Sequence, residues 1–321
     1  MAESNQYYVK YPVLQVRPWG LLAYDRIEWL ISRRKKDRPT KHQFHHSSPD
    51  QPDTTPQAYT GTLTPYAKKK LKRAISLMVA SAKDKEAPNF KTGGTFKFKV
   101  NFITLTLPGP QGKISDKEIK KHCLDNWIKR AKRKHKLNSY VWRAERQKNG
   151  NLHFHIITDT WIHYEKIRND WNDVCNHFGW IDKFEAQHGH RNPNSTDVHA
   201  VWKVKNLTQY FIKYMSKNSP EQDVIQGKLW DCSKNLKTKK NCEVLMESEA
   251  LEQWTKASED PECELKSDAN YAIIFLSPDK FDKYVTGELR ARWMEYLAII
   301  RGDIHEYSPQ PPHDHCTLRA A

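Results

Sequence analysis

Along the central third of the chain the hydrophobic period changes repeatedly, and each change marks an element. The run Thr95-Phe-Lys-Phe-Lys-Val-Asn-Phe-Ile-Thr-Leu-Thr-Leu107 alternates apolar and polar positions and stops at Pro108-Gly109, which predicts a strand over 95–107. Ser115-Asp-Lys-Glu118 has capping-box spacing and opens a helix with Ile119, Leu124, Trp127 and Ile128 on one side and many Lys/Arg on the other. A second strand is expected over 140–147, a turn at Lys148-Asn149-Gly150 and a third strand over 152–158. Ile167, Trp171, Val174 and Phe178 restore helical spacing within 164–178. A fourth strand follows over 198–204, and Asn206 can cap a helix reaching about Lys217. The order strand, helix, hairpin, helix, strand, helix predicts an α+β domain on the ferredoxin-like, split βαβ plan, an antiparallel sheet with helices on one face.

The flanks are less patterned. Residues 39–65 hold five prolines among Ser, Thr, His, Asp and Gln, which reads as an exposed linker. Leu71, Ile75, Met78 and Val79 give 67–82 helical spacing, either as an accessory helix or as one lying along a phosphate backbone. A strand over 271–276 and a helix over 286–301 are the clearest elements beyond 220, and there are no internal repeats. The expected organisation is a basic N-terminal extension over 1–95 with its Pro-rich linker at about 39–65, a functional domain over 96–220, and a C-terminal accessory region over 221–321.

Charge narrows the class of partner. In 321 residues, 53 Lys+Arg face 38 Asp+Glu, a formal net charge of +15. The excess is local: ten basic and two acidic residues over 60–100, thirteen and four over 112–150, nine and three over 200–240. From 241 onward the sign reverses, with eight basic and sixteen acidic residues and an acidic segment over 243–268. Basic blocks are ordinarily solvated helix faces, but three around one motif-bearing region point to a polyanion, nucleic acid above all. No apolar stretch of about 18 residues occurs, so a membrane partner is not expected. The N-terminus lacks a secretory pattern, and six cysteines without a C-x-x-C pair read as reduced thiols. Both suggest a cytoplasmic protein.

His153-Phe154-His155 lies within a strand pattern, so period 2 puts both imidazoles on one face and Leu152, Phe154 and Ile156 on the other. With 15 His, chance alone supplies about one His-x-His. Two others, His188-Gly-His190 in a polar stretch that reads as a loop and His313-Asp-His315 in the Pro-rich tail, carry no such context. A third ligand should come from Glu145 on the preceding strand, with Gln147 next on the same face. A two-residue Asn149-Gly150 turn would set Glu145 opposite Phe154, on the wrong face. A three-residue loop with Gly150 left-handed sets it opposite His153. A metal site therefore requires the odd loop. Two His and one carboxylate suit Mg²⁺ or Mn²⁺ polarising a phosphate; the same set suits a non-haem iron oxygenase, but nothing else in the sequence supports oxygen chemistry.

Tyr210-Phe-Ile-Lys213-Tyr214-Met-Ser-Lys217 repeats Tyr-x-x-Lys in tandem, stacking the two tyrosines on one helix face with the lysines spaced likewise. In isolation this is an ordinary amphipathic surface helix. Beside a cation a phenol can attack a phosphodiester, and Lys213 and Lys217 can offset the developing charge.

The run Trp142-Arg-Ala-Glu145-Arg-Gln147-Lys-Asn-Gly150-Asn-Leu-His153-Phe-His155 resembles the metal motif of HUH endonucleases, and Tyr210–Lys217 resembles their tyrosine motif in its two-tyrosine form. Phe102-Ile-Thr-Leu-Thr106 resembles the first motif, and Gly227-Lys-Leu-Trp-Asp-Cys-Ser-Lys-Asn-Leu236 a segment that follows the nuclease domain in phage and plasmid initiators. The likeness spans about 96–220 and is strongest to rolling-circle replication initiators of small single-stranded-DNA phages and related plasmids. It implies that Glu145, His153 and His155 hold the metal, with Gln147 a further ligand or support. Tyr210 and Tyr214 would be alternating nucleophiles, and Thr104, Thr106, Arg143 and Trp230 candidate DNA contacts. One tyrosine would nick a single-stranded origin, keep the 5′ end and leave a 3′-OH primer; the other would cleave after a round of synthesis. It also implies action in the cytoplasm of a bacterial host. No G-x-x-x-x-G-K-[ST] occurs, so a host helicase and polymerase are the expected partners. Relaxases and single-strand transposases share the chemistry, but a third His and N-terminal Tyr, or a single Tyr, would mark them. A non-catalytic RNA-recognition-type module would carry exposed aromatics where the hairpin has His153 and His155.

Overall fold

The structure, a computed structural model, describes residues 8–29, 61–89, 92–201, 207–216, 224–238 and 240–304. A hairpin, β1 (Tyr8–Arg17) and β2 (Gly20–Trp29), precedes α1 (Pro65–Ser81) and a short ribbon of β3 (Lys85–Pro88) and β4 (Thr95–Phe98). There follow β5 (Val100–Thr106), α2 (Asp116–Ile119), a π-helical turn over Lys120–Leu124, α3 (Asp125–His135), β6 (Tyr140–Arg146) and β7 (Leu152–Thr158). Next come α4 (Tyr164–Cys175), α5 (Trp180–His188), β8 (Thr196–Val201), α6 (Leu207–Met215) and β9 (Trp230–Cys232). The last elements are β10 (Cys242–Leu245), α7 (Ser248–Ser258), β11 (Glu264–Ser267), β12 (Tyr271–Phe275), α8 (Pro278–Tyr284) and α9 (Gly287–Arg301).

The chain divides into two compact units, 33–239 and the joined termini 1–32 with 240–321. In the first, five strands run in the order β8-β5-β7-β6-β9, every neighbour antiparallel. The four strands β5 to β8 reproduce the ferredoxin-like order, because the α2–α3 crossover leaves between β5 and β6 a gap that β7 fills. The fold is therefore α+β, with an antiparallel core of the expected kind.

Each element follows from its residues. Ser115 Oγ accepts the Glu118 N–H and Glu118 Oε2 accepts the Ser115 N–H at 3.0 Å, completing the capping box. Ile119, Leu124, Trp127, Ile128 and Ala131 are buried beneath that helix. Trp171 of α4 is fully buried, its ring edge-on to Phe154 at 6.1 Å and its Nε1–H donating to the Thr106 carbonyl at 2.7 Å. Phe154 alternates with His153 and His155, so α4 covers the sheet face opposite the histidines. The second face is not bare. Phe211 of α6 stacks on Phe102 at 6.0 Å, and α1, with Leu71, Ile75 and Met78 buried, packs against α6. The expected one-sided helical layer thus has a counterpart, because Phe102, Val141 and Ile157 present apolar surface on the histidine face too.

Three local expectations are corrected. The single strand over 95–107 bends at Lys99: β4 turns away to pair with β3, drawn by Phe96 and Phe98 packing around Trp161. The helix over 164–178 ends at Cys175, followed by a 3₁₀ turn and left-handed Gly179. His188 closes α5 rather than lying in a loop.

The joined termini form their own antiparallel sheet, β10-β1-β2-β12-β11, with α7, α8 and α9; Trp293, Tyr296, Leu297 and Ile300 of α9 are buried. Sequence reading treats these flanks as separate extensions, since strand pairing across more than 200 residues leaves no local signal.

Candidate active site

Register places the histidines. On β6 and β7, Glu145 lies opposite His153 and Arg143 opposite His155. The Gln147 N–H donates to the Asn151 carbonyl at 2.8 Å and the Gly150 N–H to the Gln147 carbonyl at 2.9 Å, so the loop is Lys148-Asn149-Gly150. Gly150 sits at φ +81°, the left-handed position that closes a three-residue hairpin. The odd loop that the sequence geometry required is therefore present, and it puts the carboxylate and both imidazoles on one face.

Glu145 Oε2 is 3.6 Å from His153 Nε2 and 3.3 Å from His155 Nε2, and the two rings meet edge to face at 4.5 Å. Cis ligands of a small divalent cation bound at about 2.1 Å lie about 3 Å apart, so the spacing suits such an ion after a slight contraction. Neither ring nitrogen of His153 has a hydrogen-bond partner although both are buried, as expected of donor atoms shaped for a metal. His155 Nδ1 lies 3.2 Å from Thr104 Oγ1; with Nδ1–H donating, Nε2 is left to face the centre. Burial would raise the Glu145 carboxyl, but hydrogen bonding to His153 and His155 and the Arg143 charge outweigh it and hold it at about 2. The carboxylate is thus ionised at neutral pH. Glu145, His153 and His155 form a possible metal site, each partly open to solvent.

Following opposed residues across the strands gives a row Asp197, Thr104, His155, Arg143, Trp230 on this face. Arg143 is 5% exposed, its Nε 3.9 Å from Glu145 Oε1, so it lies under the site rather than at its mouth. Thr106 is opposite His153, and Trp230 is half-buried on edge strand β9. Gln147 follows Glu145 on the same face, its Oε1 buried without a hydrogen-bond partner. Trp142, in contrast, is core, edge-on to Phe154. Sequence reasoning missed Asp197, exposed and bonded to His199 Nε2 at 2.7 Å on the neighbouring edge strand. Only the β5–β8 register reveals that it shares the histidine face.

The tyrosine helix approaches through one ring. Phe102 stacks on His155 at 5.2 Å and on Phe211 at 6.0 Å, and lies 6.3 Å from Tyr214. Phe211 and Met215 are fully buried, which turns Tyr210 and Tyr214 outward with their rings 4.8 Å apart. Tyr214 is exposed; Tyr210 is half-buried, and burial together with the Tyr214 hydroxyl raises its phenol above the ordinary range. Lys213 is exposed on the same helix. Lys217 and Trp202 lie outside the described residues.

A buried polar clamp holds the hairpin tip. Asp116, 4% exposed, accepts from Arg146 Nη2 at 2.7 Å, from Gln111 Nε2 at 2.7 Å and from the Gln226 N–H at 2.8 Å. Arg146 also donates to the Gly150 carbonyl at 2.8 Å, and Gln111 Oε1 accepts the Leu152 N–H at 3.0 Å. These bonds tie both sides of the loop to the start of α2, which fixes the register that Glu145 depends on.

Residues 100–219 match the family model for the replication-associated protein ORF2, a little over a third of the chain. Comparison with curated proteins and with solved structures returned no match. The matched span contains β5 to β8, the three cluster residues and both tyrosines, and it supports a role in DNA replication. Among the described residues no helix is long and apolar enough to cross a membrane.

Proposed function

We propose that this protein initiates rolling-circle replication by nicking and rejoining single-stranded DNA at an origin, as an HUH-type enzyme with two tyrosines. The observation that carries the reading is the Glu145-His153-His155 cluster linked through Phe102 to the tyrosine helix, within the span similar to a replication-associated family. Glu145, His153 and His155 would hold Mg²⁺ or Mn²⁺, which when bound supplies Lewis-acid polarisation of a phosphate oxygen.

The residues of the chain do the rest. The Thr104 hydroxyl orients His155, and Arg143 keeps Glu145 ionised from beneath. Tyr210 or Tyr214 attacks the scissile phosphorus through Oη: the phosphorus–O3′ bond breaks, the 5′ end stays on the tyrosine, and the phenolic proton passes to the leaving 3′ oxygen. Like-charge repulsion between the two phenolates means that only one is readily ionised at a time, which suits alternating use. Lys213 and Lys217 would offset phosphate charge in the transition state. Thr106 and Trp230 would contact the strand, and unwinding and synthesis would come from a bacterial host's helicase and polymerase in the cytoplasm.

The test is a denaturing gel of protein, Mn²⁺ and an end-labelled single-stranded oligonucleotide from a panel of candidate origins. A labelled band at protein mass, absent with EDTA and absent from Tyr210→Phe/Tyr214→Phe, is the expected result. Tight binding without an adduct across the panel would turn the reading to a non-catalytic binding module.

A further inference from the structure

The helical layer on the far side of the sheet carries a second charged surface that nicking does not use. α2, the π turn and α3 run on as one rod whose buried side is Ile119, Leu124, Trp127, Ile128 and Ala131. Along the outer side Lys117, Lys121, Lys129, Arg133 and Lys136 are all exposed. Steps of four residues keep them in line, and the π turn absorbs the odd step between Lys121 and Lys129.

Other cations of the same rod are used by the fold. Arg130 bonds Asp173 at 2.5 Å, Lys134 and His135 bond Asp170 at 2.7 and 2.8 Å, and Lys132 lies over the Tyr140 ring at 5.2 Å. The five on the outer line make no ion pair among the described residues. Glu118, in the capping box, and Asp125 are the acids beside them. Like charges one turn apart repel, so the rod carries a repulsion that folding does not require.

We propose that this line docks double-stranded DNA, as a second contact separate from the strand at the tyrosines; the choice of DNA as the polyanion rests on the nicking reading above. Lys117 to Arg133 spans about 24 Å of rigid rod, with charges about 5–6 Å apart, a pattern that suits a stiff, continuous polyphosphate. The line itself carries no aromatic side chain on which unpaired bases could stack, so it fits backbone rather than single-strand recognition. It also lies across the sheet from the histidines, on the side that α4 covers through Trp171 and Phe154. A sheet and a helix layer therefore separate it from the metal site, and it must hold a different DNA segment.

The experiment measures binding of an origin-free duplex of about 30 base pairs in EDTA, across a salt series, for the full chain and for Lys117→Ala/Lys121→Ala/Lys129→Ala/Arg133→Ala. The variant should bind about tenfold or more weakly at about 100 mM salt, and its salt slope should fall by about three to four, roughly 0.9 for each phosphate no longer neutralised. A lysine-to-arginine variant at 117, 121 and 129 should retain both. Cleavage of a short single-stranded oligonucleotide by the alanine variant should be unchanged. Unchanged duplex affinity and slope would overturn the proposal, as would an equal loss of short single-strand binding. Should the alanine variant misfold, Lys121→Glu/Arg133→Glu carries the same expectations. Absence of cleavage in the wild type, with the duplex effect intact, would count against nicking and not against this surface.

Discussion

The Phe102 ring lies flat against the His155 imidazole, 5.2 Å between centroids and 23° between planes, while the same ring reaches Tyr214 at 6.3 Å. A single apolar side chain on β5 thus sets both the tilt of a metal-facing imidazole and the seat of the tyrosine helix. Replacing it tests whether the two halves of the site are coupled.

Phe102→Ala should weaken Mn²⁺ binding about tenfold, because His155 loses the wall that orients it, and should cost about 3–5 kcal/mol of stability. Phe102→Leu, which keeps most of the volume, should recover most of the stability but less of the metal affinity. Calorimetric Mn²⁺ titration beside urea unfolding separates the two.

The hairpin loop makes a sharper prediction. Deleting Asn149 leaves a two-residue turn, and the favoured pairing then sets Glu145 opposite Phe154, whose side chain points into the core. Mn²⁺ binding should vanish while the protein is destabilised. Gly150→Ala keeps the loop length but places a Cβ at φ +81°, and should cost about 1–2 kcal/mol with the metal site retained.

If Glu145, His153 and His155 share one ion, that ion stabilises the fold by mass action. At a Mn²⁺ concentration about 100 times its Kd the gain should be about 2.7 kcal/mol, visible as a rise in thermal midpoint. His153→Ala and His155→Ala should each abolish the rise, and EDTA should reverse it. Tyr210→Phe should leave it intact. A rise that survives both histidine variants would place the ion elsewhere.

Lys120, at the π turn, donates to the Gln226 carbonyl at 2.5 Å, and burial, aided by the Arg146 charge, brings its ammonium down to about 8. Between about 8 and the ordinary value of 10.5 the unfolded chain holds this proton and the folded chain does not. Stability on this residue's account is therefore lowest below the folded value and rises with pH through that window. Relative to Lys120→Met, which cannot titrate, the wild type should gain stability between pH 8 and 10 in urea unfolding series. A flat difference would mean that the ammonium is not desolvated.

Much of the catalytic unit was legible along the chain. The capping box at Ser115, the alternation through His153 and His155 and the tandem Tyr-x-x-Lys all depend on neighbours within one turn or one strand, where backbone geometry dictates which side chains share a face. Even the three-residue loop followed from arithmetic, since only an odd loop brings Glu145 level with His153. The bend at Lys99 was not legible, because it is made by Trp161 packing between Phe96 and Phe98 from more than 60 residues away. Nor was Asp197, which joins the histidine face only through pairing with Thr104.

By itself, then, the sequence determined the local elements, the cation excess and the identity of the three possible ligands, because periodicity and composition are properties of contiguous residues. Tertiary structure alone decided that Arg143 is buried beneath Glu145, that Phe102 is the shared wall between His155 and Tyr214, and that Asp116 clamps the hairpin through Arg146 and Gln111. It also decided that the outward-facing lysines of α2 and α3 lie across the sheet from the metal ligands. Each of these depends on which distant segments pack together, and that is set by burial of apolar surface across the whole unit, which no local pattern records.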